Sequence, residues 1–168
     1  MKYLYLIRHA KSSWKEPLLP DFQRPLKKRG IRDAKFMGKW LKRNKHIPDI
    51  IISSPAVRAR QTAELLAEQM DMPLTRLHFD ESIYEAHLAD LLSIVNNQKA
   101  EMKAMALIGH NPVLTDFANL LTQNVHLQNI PTCGIWAVQF RVEHWQDIQE
   151  DSGQFLFFEY PKKHYEKL

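Results

Sequence analysis

A chain of 168 residues is long enough to bury one hydrophobic core, so we expect a single domain over residues 1–168. Hydrophobic residues make up 45% of the chain and charged residues 25%, a balance that excludes disordered and fibrous proteins. The formal net charge of +4 is compatible with an anionic partner, but it does not distinguish a nucleic-acid-binding protein from an enzyme for acidic substrates.

The sequence carries no recognisable signal for export or membrane insertion. Its apolar start is too short for a signal-peptide core, and no apolar run approaches the roughly 18 residues that cross a bilayer. The one cysteine, Cys133, cannot form an internal disulfide and fits a reducing compartment. We therefore expect a cytoplasmic protein with no membrane partner.

Short apolar runs alternate with helical patterns through the first half of the chain. Residues 3–7 are typical of a strand, and residues 29–43 carry apolar side chains on one helix face. Residues 49–52 are continuously apolar, as in a strand covered on both faces. Residues 53–55 (Ser-Ser-Pro) predict a helix start with a serine cap and a proline in the first turn, and this helix extends to about Gln69.

The second half continues the alternation. Residues 73–79 predict a third strand, residues 88–96 a helix, and residues 105–108 another buried strand. A helix follows through Leu114 and Leu121. Two further segments alternate in the manner of strands and are expected to pair antiparallel: residues 135–142 and 154–160.

This order of elements predicts the fold class. Alternating strands and helices favour an α/β, three-layer sandwich with a mainly parallel central sheet and helices on both faces. In such sheets ligands bind beyond the carboxyl ends of the strands.

Three of these strand ends carry the same kind of chemistry. The first strand leads to Arg8 and His9, the second leads to a helix whose first turn contains Arg58, and the strand at residues 105–108 leads to His110. Arginine guanidinium groups match the oxygens of phosphate, and a helix N-terminus also favours an anion. The sequence therefore predicts an anion pocket that contains two imidazoles.

These side chains suffice for phosphoryl transfer. A neutral imidazole is a nucleophile, and neighbouring guanidinium groups favour its unprotonated form. Arg8, Arg58 and His110 can stabilise the charge on the transferring phosphoryl group. Because the sequence lacks a recognisable metal-ligand pattern, we expect no metal and no cofactor.

Three sequence blocks, in order, resemble the histidine phosphatase superfamily. They are residues 6–12 (Leu-Ile-Arg-His-Ala-Lys-Ser), residues 53–62 (Ser-Ser-Pro-Ala-Val-Arg-Ala-Arg-Gln-Thr) and residues 109–112 (Gly-His-Asn-Pro). The short chain and residues 21–26 (Asp-Phe-Gln-Arg-Pro-Leu) most resemble the SixA-type phosphohistidine phosphatases. Ala10 stands where the family has glycine, which is tolerable if its φ stays negative.

The resemblance implies a phosphoglycerate-mutase-like fold and a role for each matching residue. His9 is the expected phosphorylated nucleophile, and the expected phosphate-binding residues are Arg8, Arg58, His110, Arg24 and Ser12. Glu85 aligns with the proton donor of the family, with Glu81 close by. Whether Glu85 is a general acid or a solvated carboxylate stays open, and the answer matters only for a poor leaving group.

Three functions remain in competition. The first is a phosphatase for phosphohistidine or another phosphoprotein. The second is a phosphatase for a sugar phosphate or nucleotide, for which the basic residues Lys11, Lys15 and Arg24 would suit a multiply charged anion. The third is a non-catalytic module that binds a phosphorylated protein or nucleic acid; we expect no nucleic-acid partner, since a binding module has no need of a nucleophilic histidine. The oligomeric state stays open.

Overall fold

The computed structural model describes residues 1–165, which contain six strands and five α-helices. The strands are β1 (Lys2–Arg8), β2 (Ile50–Ser53), β3 (Leu77–Phe79), β4 (Ala104–Gly109), β5 (Ile135–Phe140) and β6 (Gln154–Glu159). The helices are α1 (Lys28–Arg43), α2 (Val57–Gln69), α3 (Leu88–Asn96), α4 (Val113–Leu121) and α5 (Pro161–Tyr165).

All six strands form one sheet in the order β3-β2-β4-β1-β5-β6. The first four run parallel to one another, whereas β5 pairs antiparallel with both β1 and β6. The mainly parallel sheet is therefore confirmed, as is the antiparallel pairing of the last two strands. Because β1, β2 and β4 are parallel neighbours, their carboxyl ends lie at the same edge of the sheet.

Helices cover both faces of the sheet, which confirms the three-layer architecture. Side chains of β1 alternate between two cores, as the period of a strand requires. Leu4 and Leu6 pack in a core with α3 and α4, whereas Tyr5 and Ile7 pack in a second core with α1 and α2.

Two predicted boundaries are wrong. Helix α2 begins at Val57 rather than at the serines, because Ser54 precedes a proline and Ala56 keeps an extended conformation (φ −53°, ψ 139°). The predicted third strand is confirmed only over its last three residues, since Leu74–Arg76 forms a 3₁₀ turn and pairing with β2 begins at Leu77.

Within the basic C-terminal segment, residues 160–168, the structure describes helix α5. Helix α5 packs back onto α1, where the Tyr165 hydroxyl donates to Asp33 Oδ1 at 2.9 Å. Residues 166–168 lie outside the described residues. Within residues 1–165, no helix combines the length and the apolar character that crossing a membrane requires.

Candidate active site

Arg8, His9, Arg58 and His110 converge at the carboxyl edge of the sheet. Strand β1 ends at Arg8 and β4 ends at Gly109, so the next residue in each case is a histidine. The amide of His9 donates to the carbonyl of Gly109 at 3.2 Å, which ties the two strand ends together. The imidazole rings of His9 and His110 have centroids 5.2 Å apart.

The position of the proton on His9 follows from its hydrogen bond. Nδ1 of His9 lies 2.8 Å from the carbonyl oxygen of Ala10. Since a carbonyl only accepts hydrogen bonds, Nδ1 carries the proton in the neutral ring and Nε2 keeps its lone pair. This tautomer is the one that a nucleophilic Nε2 requires.

Burial keeps the His9 imidazole neutral. It lowers the pKa of His9 from 6.5 to about 3, with smaller contributions in the same direction from His110, Arg58 and Arg8 and an opposing one from the Ala10 hydrogen bond. The pKa of His110 is lowered to about 4, again mainly by burial and next by Arg58. At neutral pH both rings are therefore unprotonated.

The low pKa of His9 predicts a loss of stability in acid. The unfolded chain binds a proton on His9 near pH 6.5, whereas the folded chain does so only near pH 3, so stability falls as pH drops through 6.5. We expect a loss of about 1.4 kcal/mol one pH unit below the unfolded pKa. Urea denaturation at several pH values should therefore show a shallower pH dependence for His9→Asn than for the wild type, and equal slopes would contradict the assignment.

His110 is held in place by Ser54, one of the two serines predicted to cap the following helix. Nε2 of His110 lies 2.8 Å from Ser54 Oγ, which also accepts from the amide of Ala56 at 3.2 Å. The other ring nitrogen of His110, Nδ1, is buried and has no hydrogen-bond partner within residues 1–165. Ser54 is fully buried and could have been suspected only from its place at the end of a buried strand.

Asp21 joins the two buried arginines of the site, Arg58 and Arg24. Arg58 donates through Nη1 to the Asp21 carbonyl at 2.7 Å and through Nη2 to Asp21 Oδ2 at 3.0 Å. Arg24 donates through Nε to Asp21 Oδ1 at 3.1 Å. The Tyr84 hydroxyl donates to Oδ2 at 2.6 Å. Asp21 therefore orients three side chains at once.

These hydrogen bonds explain why Asp21 stays ionised. The hydrogen bond from Tyr84, together with the hydrogen bond and charge of Arg58 and the hydrogen bond from Arg24, outweighs the opposing effect of burial and lowers the pKa of Asp21 to about 2. Asp21 lies in the segment of residues 21–26 that resembles the SixA-type phosphatases, but that resemblance assigns it no role. Its spacing of three residues from Arg24 was the available signal, whereas its contacts with Arg58 and Tyr84 depend on the tertiary fold.

Residues 10–13 follow His9 and are fixed from both sides. The amide of Ala10 donates to Thr62 Oγ1 at 3.0 Å, and the Thr62 hydroxyl donates to the Arg58 carbonyl at 2.7 Å. Arg24 Nη1 donates to Ser12 Oγ at 2.8 Å. The φ angle of Ala10 is negative, so its methyl group causes no backbone strain. The predicted residues Ser12 and Arg24 thus contact each other beside the loop.

Arg8 and Arg58 each keep a donor unused. Arg8 Nη1 donates to the Ile130 carbonyl at 3.1 Å, while the Nε atoms of Arg8 and Arg58 are buried without a partner within residues 1–165. Buried N–H groups without an acceptor are rare in folded proteins.

Glu85 lies at the mouth of the site and Glu81 does not. Glu85 is exposed and lines the same cavity as His110, of about 450 Å³. Glu81 is also exposed but lies outside the lining of that cavity. Trp14 is 70% exposed, and its ring stacks on the Arg24 guanidinium with 3.6 Å between the ring centroid and Cζ.

Comparison with known proteins agrees with this fold. The uncharacterised protein Rv1276c of Mycobacterium tuberculosis is 31% identical over 165 residues, which cover 93% of this chain and 100% of the relative. A crystal structure of the putative phosphohistidine phosphatase SixA from Agrobacterium tumefaciens has a TM-score of 0.80 at 24% identity and covers 95% of this chain and 98% of its own. The protein histidine phosphatase SixA complexed with tungstate has a TM-score of 0.79 at 20% identity, covering 96% and 98%.

The match in sequence extends across the site. The sequence profile of the histidine phosphatase superfamily (branch 1) matches residues 4–119, a range that includes both histidines and all three arginines described above. That match covers more than half of the chain, and the fold agrees with it. The chain therefore belongs to the histidine phosphatase superfamily, whose members are phosphatases and phosphoglycerate-mutase-like enzymes.

Proposed function

We propose that this protein hydrolyses phosphorylated substrates through a covalent phosphohistidine on His9, without a metal ion. The observation that carries the proposal is the His9 ring itself. Its Nδ1 is bound to the Ala10 carbonyl, its pKa is lowered to about 3, and the guanidinium groups of Arg8 and Arg58 act on it. A neutral, oriented imidazole beside two fixed cations is what in-line attack on a phosphoryl group requires.

In the first step, the lone pair of His9 Nε2 attacks phosphorus. The bond from phosphorus to the leaving atom breaks, and its electron pair departs with the leaving group. The guanidinium groups of Arg8 and Arg58 supply positive charge that can stabilise the equatorial phosphoryl oxygens. As the ring becomes positively charged, the Nδ1 proton stays bonded to the Ala10 carbonyl.

In the second step, water attacks the phosphoryl group on His9. The bond between phosphorus and Nε2 breaks, its electron pair returns to the imidazole, and the water loses a proton to solvent or to a neighbouring base. Phosphate and the starting tautomer of His9 result. The low pKa of His9 favours this step, because a weakly basic imidazole is a good leaving group.

Phosphohistidine, or another phosphoprotein, is the substrate class we favour. The mouth of the site carries the exposed side chains of Trp14 and Glu85, so a side chain presented by a partner protein can approach it. Two similar folds belong to proteins described as a putative phosphohistidine phosphatase SixA and a protein histidine phosphatase SixA, which supports the choice.

Mass spectrometry tests the intermediate directly. The protein is mixed briefly with a phosphohistidine peptide, quenched without acid and digested. We expect a phosphoryl group on His9 and not on His110. A label on any other residue would overturn the mechanism, and substrate binding without label or hydrolysis would favour a binding module.

Small phosphate esters are a second candidate, because Glu85 shares a cavity with His110. An alkoxide leaving group needs a proton to depart, and a carboxylic acid at the mouth of the site can supply it. The imidazole of phosphohistidine is a much better leaving group. The dependence of turnover on Glu85 therefore indicates which class of substrate the protein hydrolyses.

Replacing Glu85 with glutamine separates the two candidates. We expect kcat on an alkyl phosphate to fall about 10²-fold, since general acid catalysis contributes roughly that much. Turnover of a phosphohistidine peptide should change less than about threefold, because its leaving group needs little assistance. Steady-state kinetics on both substrates measure the difference.

Glu81→Gln is the matched control, because Glu81 is an exposed carboxylate of the same segment outside the cavity. It should leave both activities unchanged. Equal losses on the two substrates in Glu85→Gln would rule out the proposed role of Glu85 as a proton donor.

A further inference from the structure

A second cavity, of about 260 Å³, lies at the carboxyl edge of the sheet beside the candidate active site. Its walls come from the end of β1, from α1, from the loop before β5 and from the residues that follow β6. Strand β6 runs in the same direction as β1, because each is antiparallel to β5. The chain beyond β6 is therefore delivered to the edge where His9 lies.

Four cationic side chains line this second cavity: Arg8, Lys11, Arg29 and Lys162. The one carboxylate among the lining residues, Asp33, is already engaged. Its Oδ1 accepts from Tyr165 and lies 3.7 Å from Arg32 Nε. Its Oδ2 has no hydrogen-bond partner within residues 1–165 but forms an ion pair with Arg29 Nε at 3.6 Å. Within residues 1–165, no carboxylate forms a salt bridge with Lys11 or Lys162. The cavity thus has an uncompensated positive charge.

Arg8 links this cavity to the candidate active site. Arg8 is the last residue of β1 and directly precedes His9. It lowers the pKa of His9, and it also lines the second cavity. Asn129 and Thr132 add neutral hydrogen-bonding side chains to the walls. A substrate bound at His9 can therefore extend past Arg8 into a space that favours negative charge.

We propose that the second cavity binds another anionic group, a phosphate or a carboxylate, of the substrate whose phosphoryl group reacts at His9. This inference rests on the proposed function and narrows the substrate to one with two anionic groups. Guanidinium and ammonium groups from separate elements surround a phosphate or carboxylate well, whereas they would repel a cation. The second group belongs either to a small bisphosphate or to an acidic residue beside a phosphorylated side chain.

Kinetics with matched pairs of substrates test the proposal. The bisphosphates of propanediol, butanediol and pentanediol are compared with the monophosphates of the same chain length. For at least one length we expect kcat/KM to favour the bisphosphate by about tenfold, the size expected of one charge-assisted contact. Phosphohistidine peptides with glutamate or alanine beside the phosphorylated residue form the second pair, which distinguishes an acidic protein segment from a small bisphosphate.

Lys162→Gln should reduce the preference for the substrate with two anionic groups by at least about threefold. The loss should appear as a higher KM for that substrate, with kcat on the monophosphate unchanged. Lys39→Gln is the control, since it removes an equal charge from an exposed position of α1 that lies outside the cavity. Compounds that are not hydrolysed are compared as competitive inhibitors of the phosphohistidine reaction. The ratio of inhibition constants within each pair should then equal the expected ratio of kcat/KM values.

Equal kcat/KM values and equal inhibition within every pair would overturn the second anion site while leaving the proposed function intact. A preference that Lys162→Gln does not reduce would also overturn it. If no phosphorylated compound were hydrolysed and His9 were never labelled, the proposed function would fail together with the inference.

Discussion

Replacing His9 with alanine is expected to lower kcat by about 10⁴-fold or more and to abolish the phosphoenzyme. Removing the nucleophile of a covalent mechanism eliminates the intermediate, so only the contribution of the phosphate-binding groups remains. Binding should survive, because Arg8 and Arg58 do not depend on the His9 ring for their hydrogen bonds. Steady-state kinetics, phosphopeptide mapping and titration with inorganic phosphate measure the three effects.

His78→Ala is the control for this experiment. His78 is an exposed histidine on β3, and its removal should leave kcat and phosphate binding unchanged. A His9→Ala variant that retained more than about a tenth of wild-type kcat would mean that another residue is the nucleophile.

Replacing Arg58 with lysine is expected to reduce kcat/KM by roughly 10²- to 10³-fold. The guanidinium group of Arg58 binds Asp21 through two nitrogens, which fixes its positive charge near His9. A lysine ammonium is a single point charge and cannot satisfy these directions together. The loss should appear with phosphohistidine and with alkyl phosphates alike, because both transfer the same phosphoryl group.

Arg60→Lys is the matched control on the same helix. Arg60 is half-exposed and lies 4.0 Å from Glu64, so its replacement should change kcat/KM less than about twofold. The thermal midpoint is recorded for both variants, because Arg58 is buried and a misfolded protein would imitate the loss of activity. A loss below about threefold in a folded Arg58→Lys protein would exclude a role in charge stabilisation.

Those parts of the candidate site that depend on the order of strands and helices along the chain were predictable from the sequence. Strand β1 ends at Arg8 and is followed by His9, and strand β4 is followed by His110. Arg58 lies in the first turn of a helix that follows a strand. The common direction of parallel strands is enough to bring such residues to one edge. Conversely, Ser54 was interpreted as a helix cap, because its position before a proline resembles a cap and its contact with His110 involves a residue 56 positions away.

Asp21 shows the same limit more clearly. Its interaction with Arg24 is local, but those with Arg58 and Tyr84 span 37 and 63 positions. Nothing in the spacing of these residues along the chain indicates that one carboxylate accepts from all three. The segment that contains Asp21 has to pack across the start of α2 before this arrangement exists.

The sequence by itself determined the elements, their alternation and the ligand edge of the sheet, because hydrophobic periodicity and turn chemistry are local properties. Helix α3 agrees with its prediction at both ends for this reason, and β1 and α1 extend only slightly beyond theirs. Only the tertiary structure decided the tautomer and pKa of His9, the bonding of Asp21 and the cationic cavity that Lys162 reaches from the far end of the chain. These depend on burial and on distances between residues remote in sequence, and both quantities are set when the layers pack together.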